Sequence, residues 1–237
     1  MATSEEKILI VVPTYNEKEN IEPLVRGIFS SLKNPNVLFI DDGSPDGTAE
    51  KVEKTMRKNP GINLVRRNRK MGLGTAYVQG FSFFLENSFD LVFEMDADLS
   101  HDPRDLPRFV RVSREFDLVI GSRYIPDGGT PNWGRARRAV SVLGNTYART
   151  ILGCPFSDLT SGFRCYRRRS LESIDLKDIH SEGYAFQIEM AYRIWKKGLR
   201  IGEIPIIFSE RKGGSSKMSI GIIIEAIFGV WRMKLTI

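Results

Sequence analysis

Cysteine and histidine are scarce in this 237-residue sequence, which has two of each. Few cysteines are typical of a reducing compartment, so a disulfide between Cys154 and Cys165 is allowed but not implied. His101 and His180 complete the set, and no Cys or His spacing resembles that of a zinc site. These absences exclude a disulfide scaffold and a zinc module.

Long apolar segments are also lacking, because no stretch reaches the roughly 18 apolar residues that span a bilayer. Residues 1–7 are polar and mixed in charge, unlike a secretory signal peptide. Residues 220–231 come nearest to a span, but Glu225 interrupts them and Arg232 and Lys234 follow. We expect an amphipathic helix there, either packed on the core or lying on a surface.

Two common glycine fingerprints of nucleotide-binding proteins are missing. Residues 70–75 contain Gly72 and Gly74 but match neither G-x-G-x-x-G nor the Walker motif. This disfavours a dehydrogenase or an NTPase of those classes, and a tight strand-to-helix turn remains the simpler interpretation. The sequence also has no internal repeat and no low-complexity tract.

Positive charge is in excess, with a net charge of +6, and the cations are bunched at residues 66–70, 135–138, 167–169 and 211–217. Such clusters favour anionic partners: nucleic acid, acidic lipid headgroups or phosphate ligands. Composition alone does not choose among these. The hydrophobic fraction of 41% is ordinary for a globular protein, and the length suits one α/β domain.

Apolar runs alternate with helical patterns in the first half of the chain, which is typical of a parallel sheet covered by helices. The predicted strands are residues 8–12, 37–40, 62–65, 91–95, 118–120 and 201–208. The predicted helices are residues 16–32, 48–58, 74–86, 103–114, 135–152 and 183–197. We therefore predict an α/β fold with a mainly parallel central sheet.

Acidic and polar residues follow three of these strands. Residues 13–17 follow the first, residues 41–48 the second, and Asp96-Ala97-Asp98 the fourth. Ligands of open parallel sheets bind beyond the carboxyl ends of the strands. The three segments therefore predict one site.

Asp96 and Asp98 carry the clearest chemistry. Two carboxylates at a strand end can hold a hard divalent cation, which shares its coordination with phosphate oxygens and neutralises a leaving group. The alternative is a solvated turn or a helix cap. Asp42 can accept hydrogen bonds from a nucleotide base or ribose, or can instead cap the helix that begins near Thr48.

Aromatic and basic residues complete the candidate set. Tyr15 can stack on a base and Glu17 can bind a ribose hydroxyl, although both also suit an ordinary turn. Arg123 follows the fifth strand, and residues 135–138 with Arg211 can form an anion site, because arginine binds phosphate bidentately. The alternative is a solvated basic surface.

Seven motifs then point to a family. They are V-P-T-Y-N-E (12–17), D-D-G-S-P-D-G-T (41–48), M-D-A-D-L-S-H-D-P (95–103), I-G-S-R-Y (120–124), D-L-T-S-G-F-R (158–164), G-Y-A-F-Q-I-E (183–189) and R-K-G-G-S-S-K (211–217). Together they resemble the dolichyl-phosphate (polyprenyl-phosphate) mannosyltransferases of inverting glycosyltransferase family 2. The first three motifs are typical of the broad family, and the last four of the polyprenyl-phosphate branch.

The resemblance implies a GT-A fold, with a Rossmann-like sheet, in a single catalytic domain over residues 1–237. Residues 1–134 would bind the nucleotide sugar, and residues 135–237 would form the acceptor-side half with a C-terminal amphipathic helix. The implied reaction transfers mannose from GDP-mannose to dolichyl or polyprenyl phosphate with inversion. Mg²⁺ or Mn²⁺ is the implied cofactor.

The resemblance also implies the site residues. Asp96 and Asp98 would bind the metal, with Asp98, Arg123 and Arg211 in catalytic roles, and residues 158–164 would form a mobile acceptor loop. Ser100 lies where some relatives have a larger polar residue near the metal. The implied substrate contacts are Pro13, Tyr15, Glu17, Ile40, Asp42, Asp96, Ala97, Asp98, Ser100, Arg123, Arg137, Ser141, Arg211 and Lys217.

The implied location is the cytoplasmic face of a membrane, the endoplasmic reticulum in a eukaryote or the plasma membrane in a prokaryote. The chain would bind peripherally, through its own last helix or through small membrane partner subunits. Two alternatives remain: a transferase of the same fold with UDP-glucose or a polysaccharide acceptor, and a non-catalytic nucleotide- or nucleic-acid-binding module. The acidic strand ends would repel a nucleic-acid backbone, so no nucleic-acid partner is expected.

Overall fold

A mixed β-sheet lies at the centre of the computed structural model, which describes residues 6–209 and 220–237. The strands are β1 (Ile8–Thr14), β2 (Asn36–Asp41), β3 (Ile62–Arg66), β4 (Leu91–Glu94), β5 (Leu118–Ser122), β6 (Arg164–Arg167) and β7 (Ile201–Pro205). The helices are α1 (Ile21–Ser31), α2 (Thr48–Met56), α3 (Leu73–Glu86), α4 (Leu106–Val112), α5 (Arg135–Leu152), α6 (Arg168–Glu172), α7 (Gly183–Lys196) and α8 (Ile220–Thr236). The strand order is β3-β2-β1-β4-β6-β5-β7.

Alternating side chains of β1 supply two separate cores. Leu9 and Val11 pack in a cluster with residues of α3 and α7. Ile10 and Val12 point to the other face of the sheet, where residues of α1 and α4 cover them. An apolar run without alternation is therefore needed, because both faces of the strand are buried.

The strand pairing brings the predicted site segments together. β1 pairs in parallel with β2 on one side, with Thr14 opposite Asp41, and with β4 on the other, with Val11 opposite Glu94. The carboxyl ends of these strands therefore meet at one edge of the sheet, as the sequence pattern predicts.

The second half departs from the predicted pattern. β6 was not predicted, and it runs antiparallel between β4 and β5. Its sequence, RCYR, does not read as a buried strand, yet Arg164 within it is fully buried. β7 ends at Pro205 rather than residue 208, and Ile207 forms only an isolated bridge to Gly129.

Two predicted helices begin with a separate 3₁₀ turn. Lys18–Asn20 precedes α1, and Pro103–Asp105 precedes α4. Proline has no backbone N–H and is favoured in a first turn, which agrees with the second case. The predicted existence of both helices is confirmed, and the observed helices are shorter than predicted at both ends.

Helix α8 packs against α5 and α7. Val230 and Met233 are buried, whereas Phe228 is 71% and Leu235 is 80% exposed. The core-packed alternative is therefore confirmed for this segment, and its open side carries Arg232 and Lys234 beside the exposed apolar residues. No helix in the described ranges has the length and apolarity required to cross a bilayer.

Candidate active site

A cleft of about 130 Å³ lies at the carboxyl ends of β1, β2 and β4. The residues that line it are Pro13, Thr14, Tyr15, Glu17, Asp42, Lys70, Gly72, Leu73, Asp96, Ala97 and Asp98. The structure thus places together seven of the residues predicted to contact the donor or metal. Ile40 is different, because its side chain is fully buried in the core.

The Asp98 carboxylate is held by its own loop. Its Oδ1 accepts from the Ser100 backbone N–H at 3.0 Å and from the Ser100 hydroxyl at 2.6 Å. Leu99 between them has φ of 63°, a left-handed conformation that bulky residues rarely adopt. Ser100 is therefore a support for Asp98, and its own side chain is buried.

His101 supports Asp96 in a similar way. The Asp96 backbone N–H donates to His101 Nδ1 at 3.1 Å, which places the ring proton on Nε2. This Nε2 lies 3.9 Å from Asp96 Oδ2. The imidazole stacks on Phe163 with ring centroids 4.8 Å apart. The ring thus joins the Asp96 turn to the 158–164 segment, a role that the histidine count did not predict.

The donor set of this cleft fits a hard divalent cation. Asp96 and Asp98 both offer carboxylate oxygens as ligands. The side chain of Asp96 is 28% exposed to solvent, whereas Asp98 is buried beside it. Within the described ranges no group of three or more His, Cys, Asp or Glu side chains is placed to hold a metal alone. A cation here would need further oxygens from a bound diphosphate, as magnesium sites commonly do.

Asp42 organises the loop that closes the cleft. Its Oδ1 accepts from Arg67 Nη1 at 2.9 Å, and its Oδ2 accepts from the backbone N–H groups of Met71 and Gly72 at 3.1 and 3.2 Å. It does not cap α2, because Asp46 accepts from the Thr48 backbone instead, at 2.9 Å. The helix-cap interpretation of Asp42 is therefore wrong.

Tyr15 lies next to this loop. The Lys70 ammonium sits 4.4 Å from the centre of its ring, within cation–π range. Both side chains line the cleft. One ring face is therefore covered by a cation, which was not predicted from the sequence.

Arg123 is buried and engaged within the protein. Its Nε and Nη2 donate to the two oxygens of Asp158 at 2.7 Å each, and Nη2 also donates to Thr160 at 2.8 Å. Burial opposes the charge of the guanidinium, but Asp158 more than offsets it and raises the pKa of Arg123. Arg123 is 5% exposed, so it holds the 158–160 turn in place.

Two further predicted residues lie beside Arg123. Arg137 stacks over the indole of Trp133 at 4.0 Å, and Arg123 approaches the same ring at 5.5 Å. The Tyr124 hydroxyl donates to the Ser141 hydroxyl at 2.6 Å. The rings of Tyr124 and Trp133 thus lie between the predicted residues Arg123, Arg137 and Ser141. The other two predicted residues of this group, Arg211 and Lys217, lie outside the described residues.

The 158–164 segment is closely held, in contrast to the predicted mobile loop. Asp158, Leu159, Ser161 and Arg164 are all buried. Arg164 donates to the carbonyls of Leu159 and Ser161 at 2.7 and 2.8 Å, and to that of Gln187 at 2.7 Å. A segment with its backbone tied down in this way is part of the site's fixed frame.

Glu94 stabilises the same region through a second set of buried hydrogen bonds. Its carboxylate accepts from the Tyr166 hydroxyl at 2.8 Å and from Gln187 Nε2 at 2.6 Å. Burial raises the pKa of Glu94 to about 7, although nearby Arg164 opposes the shift. Glu94 ends β4, so this network fixes the strand that carries Asp96 and Asp98.

Sequence comparison gives the family. The glycosyl transferase family 2 model matches residues 9–175. The chain is 43% identical over 229 residues to the undecaprenyl-phosphate mannosyltransferase of Micrococcus luteus, covering 97% of this chain and 94% of that one. It is 42% identical over 227 residues to the polyprenol monophosphomannose synthase of Mycolicibacterium smegmatis, covering 95% and 86%.

Structure comparison agrees. The fold matches the crystal structure of glucosyl-3-phosphoglycerate synthase from Mycobacterium tuberculosis in complex with Mn²⁺, uridine diphosphate and glucosyl-3-phosphoglycerate. The TM-score is 0.69 at 20% identity, covering 97% of this chain and 80% of that one. The chain therefore belongs to glycosyltransferase family 2 and is a glycosyltransferase with the GT-A fold.

Proposed function

We propose that the enzyme transfers mannose from GDP-mannose to a polyprenyl phosphate of the dolichyl or undecaprenyl type, with inversion. One observation carries the proposal: an acidic cleft for a metal-bound diphosphate adjoins a cluster of arginines suited to a second phosphate. His101 joins the two, because it contacts Asp96 and lies edge-on to Phe208 at 5.6 Å. Phe208 in turn lies 5.6 Å from Trp133. The names of the two bacterial relatives support both mannosyl transfer and a polyprenyl-phosphate acceptor.

The donor would lie in the cleft. The exposed part of Tyr15 would stack on the base, with the Lys70 ammonium beside it. Glu17 lines the same cleft and can accept from a ribose hydroxyl. Asp42 would act mainly through the loop that it organises, because most of its lone pairs are already used.

Asp96 and Asp98 would hold Mg²⁺ or Mn²⁺. When bound, such a cation neutralises the charge that develops on the departing diphosphate. Ser100 and His101 keep the two carboxylates in fixed positions. Fixed positions matter because preorganised charges need no rearrangement when the glycosidic bond breaks.

The acceptor needs no general base. A phosphate monoester is largely ionised at neutral pH, so its oxygen can attack the anomeric carbon directly. The new C–O bond forms on the face opposite the breaking bond, and GDP leaves with the electron pair. Arg137 and Ser141, with Arg123 behind them, would hold the acceptor phosphate against the repulsion of the diphosphate.

A membrane surface is the proposed source of the acceptor. Helices α5 and α8 pack together, and both leave large apolar side chains open: Leu143 is 67% and Phe228 is 71% exposed. Arg135 and Arg138 precede this surface in α5, are exposed and would meet anionic headgroups. The enzyme would therefore lie on the cytoplasmic face, where GDP-mannose is available.

A radiolabel transfer assay tests the function. Labelled GDP-mannose, a polyprenyl phosphate and Mg²⁺ should give label in the organic phase, and omission of any one should abolish it. Label from UDP-glucose in place of GDP-mannose would overturn the donor assignment. Absence of a lipid product from any donor, in the presence of vesicles, would overturn the acceptor assignment.

A further inference from the structure

The indole N–H of Trp133 is a buried donor that finds no acceptor in residues 6–209 and 220–237. Buried tryptophan N–H groups usually have a partner, because an unpaired donor loses its hydrogen bond to water without replacement. This donor therefore calls for a partner that the described residues do not supply, such as a water, an ion or a ligand.

Cations surround the same indole. Arg137 lies over its ring at 4.0 Å and Arg123 at 5.5 Å. A cation on the face of a π-system draws electron density from the ring, which makes the N–H at the edge a stronger donor. Such a donor beside two guanidinium groups is suited to a phosphate oxygen.

The position of Trp133 in the chain agrees with an anion. It lies just before α5, whose first turn carries arginines and no acidic residue. Cations are disfavoured at a helix N-terminus, where the backbone N–H groups already present positive charge. An anion held between the Trp133 loop and this turn would offset that repulsion.

We propose that Trp133 is a phosphate-binding residue of the acceptor site, donating its indole N–H to a phosphate oxygen of the polyprenyl phosphate while its ring positions Arg137. The proposal rests on the proposed function for the source of the phosphate. Phe208 fixes the ring by an edge contact at 5.6 Å, so the N–H direction is set before substrate binds.

Trp133→Phe is the direct test, because phenylalanine keeps an aromatic surface for Arg137 and removes the N–H. The KM for the polyprenyl phosphate should rise about ten-fold, the scale of a hydrogen bond to a charged group. The KM for the nucleotide sugar should not change. Trp195→Phe is the matched control, since Trp195 packs against Phe156 and Tyr192 away from the arginines, and it should change neither constant.

A binding measurement separates this proposal from the proposed function. In the Trp195→Phe/Trp231→Phe protein, Trp133 is the one remaining tryptophan of the sequence, so the tryptophan fluorescence comes from this residue. Inorganic phosphate should change its fluorescence saturably, and chloride at equal ionic strength should not. This fluorescence change is expected even if the natural acceptor is not a polyprenyl phosphate.

Three outcomes would overturn the assignment. They are an unchanged acceptor KM in Trp133→Phe, a change confined to the donor KM, and a Trp133 fluorescence that responds equally to phosphate and chloride. Thermal unfolding of Trp133→Phe and Trp195→Phe, compared side by side, shows whether a rise in KM comes from a loss of structure.

Discussion

Arg123 and Asp158 form a bidentate ion pair in which both side chains are buried, with Nε–Oδ2 and Nη2–Oδ1 distances of 2.7 Å. The Arg123 backbone N–H also donates to Asp158 Oδ2, at 3.0 Å. Burial raises the pKa of Asp158, but the guanidinium outweighs it and leaves the pKa lowered. The pair joins the end of β5 to the segment beside Asp96, so Arg123 holds this part of the fold together as well as lying beside Arg137 at the Trp133 ring.

Arg123→Ala should therefore unfold more easily as well as lose transfer activity. It leaves the Asp158 carboxylate buried without its charge partner, which costs about 3–5 kcal/mol of unfolding free energy. Urea unfolding measures this loss. Arg104→Ala removes the exposed partner of Asp102 and should cost much less, because solvent screens an exposed ion pair. Equal midpoints for the two variants would contradict the structural role of Arg123.

Asp98→Asn should abolish metal-dependent transfer and keep the fold. Asparagine has nearly the same shape but lacks the negative charge, and we expect kcat to fall about a thousand-fold. Asp105→Asn is the control, because Asp105 lies outside the cleft and pairs with Arg108 at 2.6 Å. Chelation of divalent cations should inactivate the native enzyme, and added Mg²⁺ or Mn²⁺ should restore it. Turnover of Asp98→Asn at the native rate would rule out the metal assignment.

Glu94 should make stability fall as pH rises. Its pKa is raised to about 7 by burial, above the usual value of 4.5. Between these values the native state binds more protons than the unfolded state, so the free energy of unfolding decreases with pH, by up to about 3 kcal/mol. Glu94→Gln does not titrate and should lose this dependence. Urea unfolding of both proteins between about pH 4.5 and pH 7.5 checks it, and parallel curves would refute the assignment.

Gly72→Ala should weaken donor binding. Gly72 has φ of +102°, and a Cβ there would lie 2.6 Å from Glu182 Oε2. That oxygen accepts from the Gly74 N–H at 2.9 Å, so the substitution disturbs the loop over the cleft. We expect a several-fold higher KM for the nucleotide sugar. Gly144→Ala, in the middle of α5 with open space around it, should leave this KM unchanged and stabilise the helix by up to about 1 kcal/mol.

Leu143→Asp combined with Leu235→Asp should reduce flotation of the enzyme with anionic vesicles. Both side chains are largely exposed, so the fold should tolerate the charges, whereas deletion of residues 218–237 would also remove the buried Val230 and Met233. Ser30→Asp combined with Asn34→Asp adds the same two negative charges at exposed positions at and just after the end of α1. Flotation of the Leu143→Asp/Leu235→Asp variant equal to that of this control variant would contradict the membrane surface.

The strands of the first half could be predicted because their patterns are local. β1, β2 and β4 are apolar runs that end in polar residues, and parallel pairing brings their carboxyl ends together. β6 could not be predicted from the sequence, because Arg164 and Arg167 interrupt its apolar pattern. Arg164 is tolerated inside the sheet because backbone carbonyls accept hydrogen bonds from its guanidinium. The contacts of His101 and Trp133 could not be predicted either, because no local sequence pattern indicates them.

The sequence by itself determined the class of fold, and it predicted the sheet edge of the candidate site and the acidic pair there, since these follow from residues close together in the chain. Only the tertiary structure decided which groups each side chain contacts. Asp42 holds Arg67, Arg123 holds Asp158, and Trp133 lies beneath Arg137. The first two pairs are 25 and 35 residues apart in sequence, and such contacts are set by packing, which local periodicity does not encode.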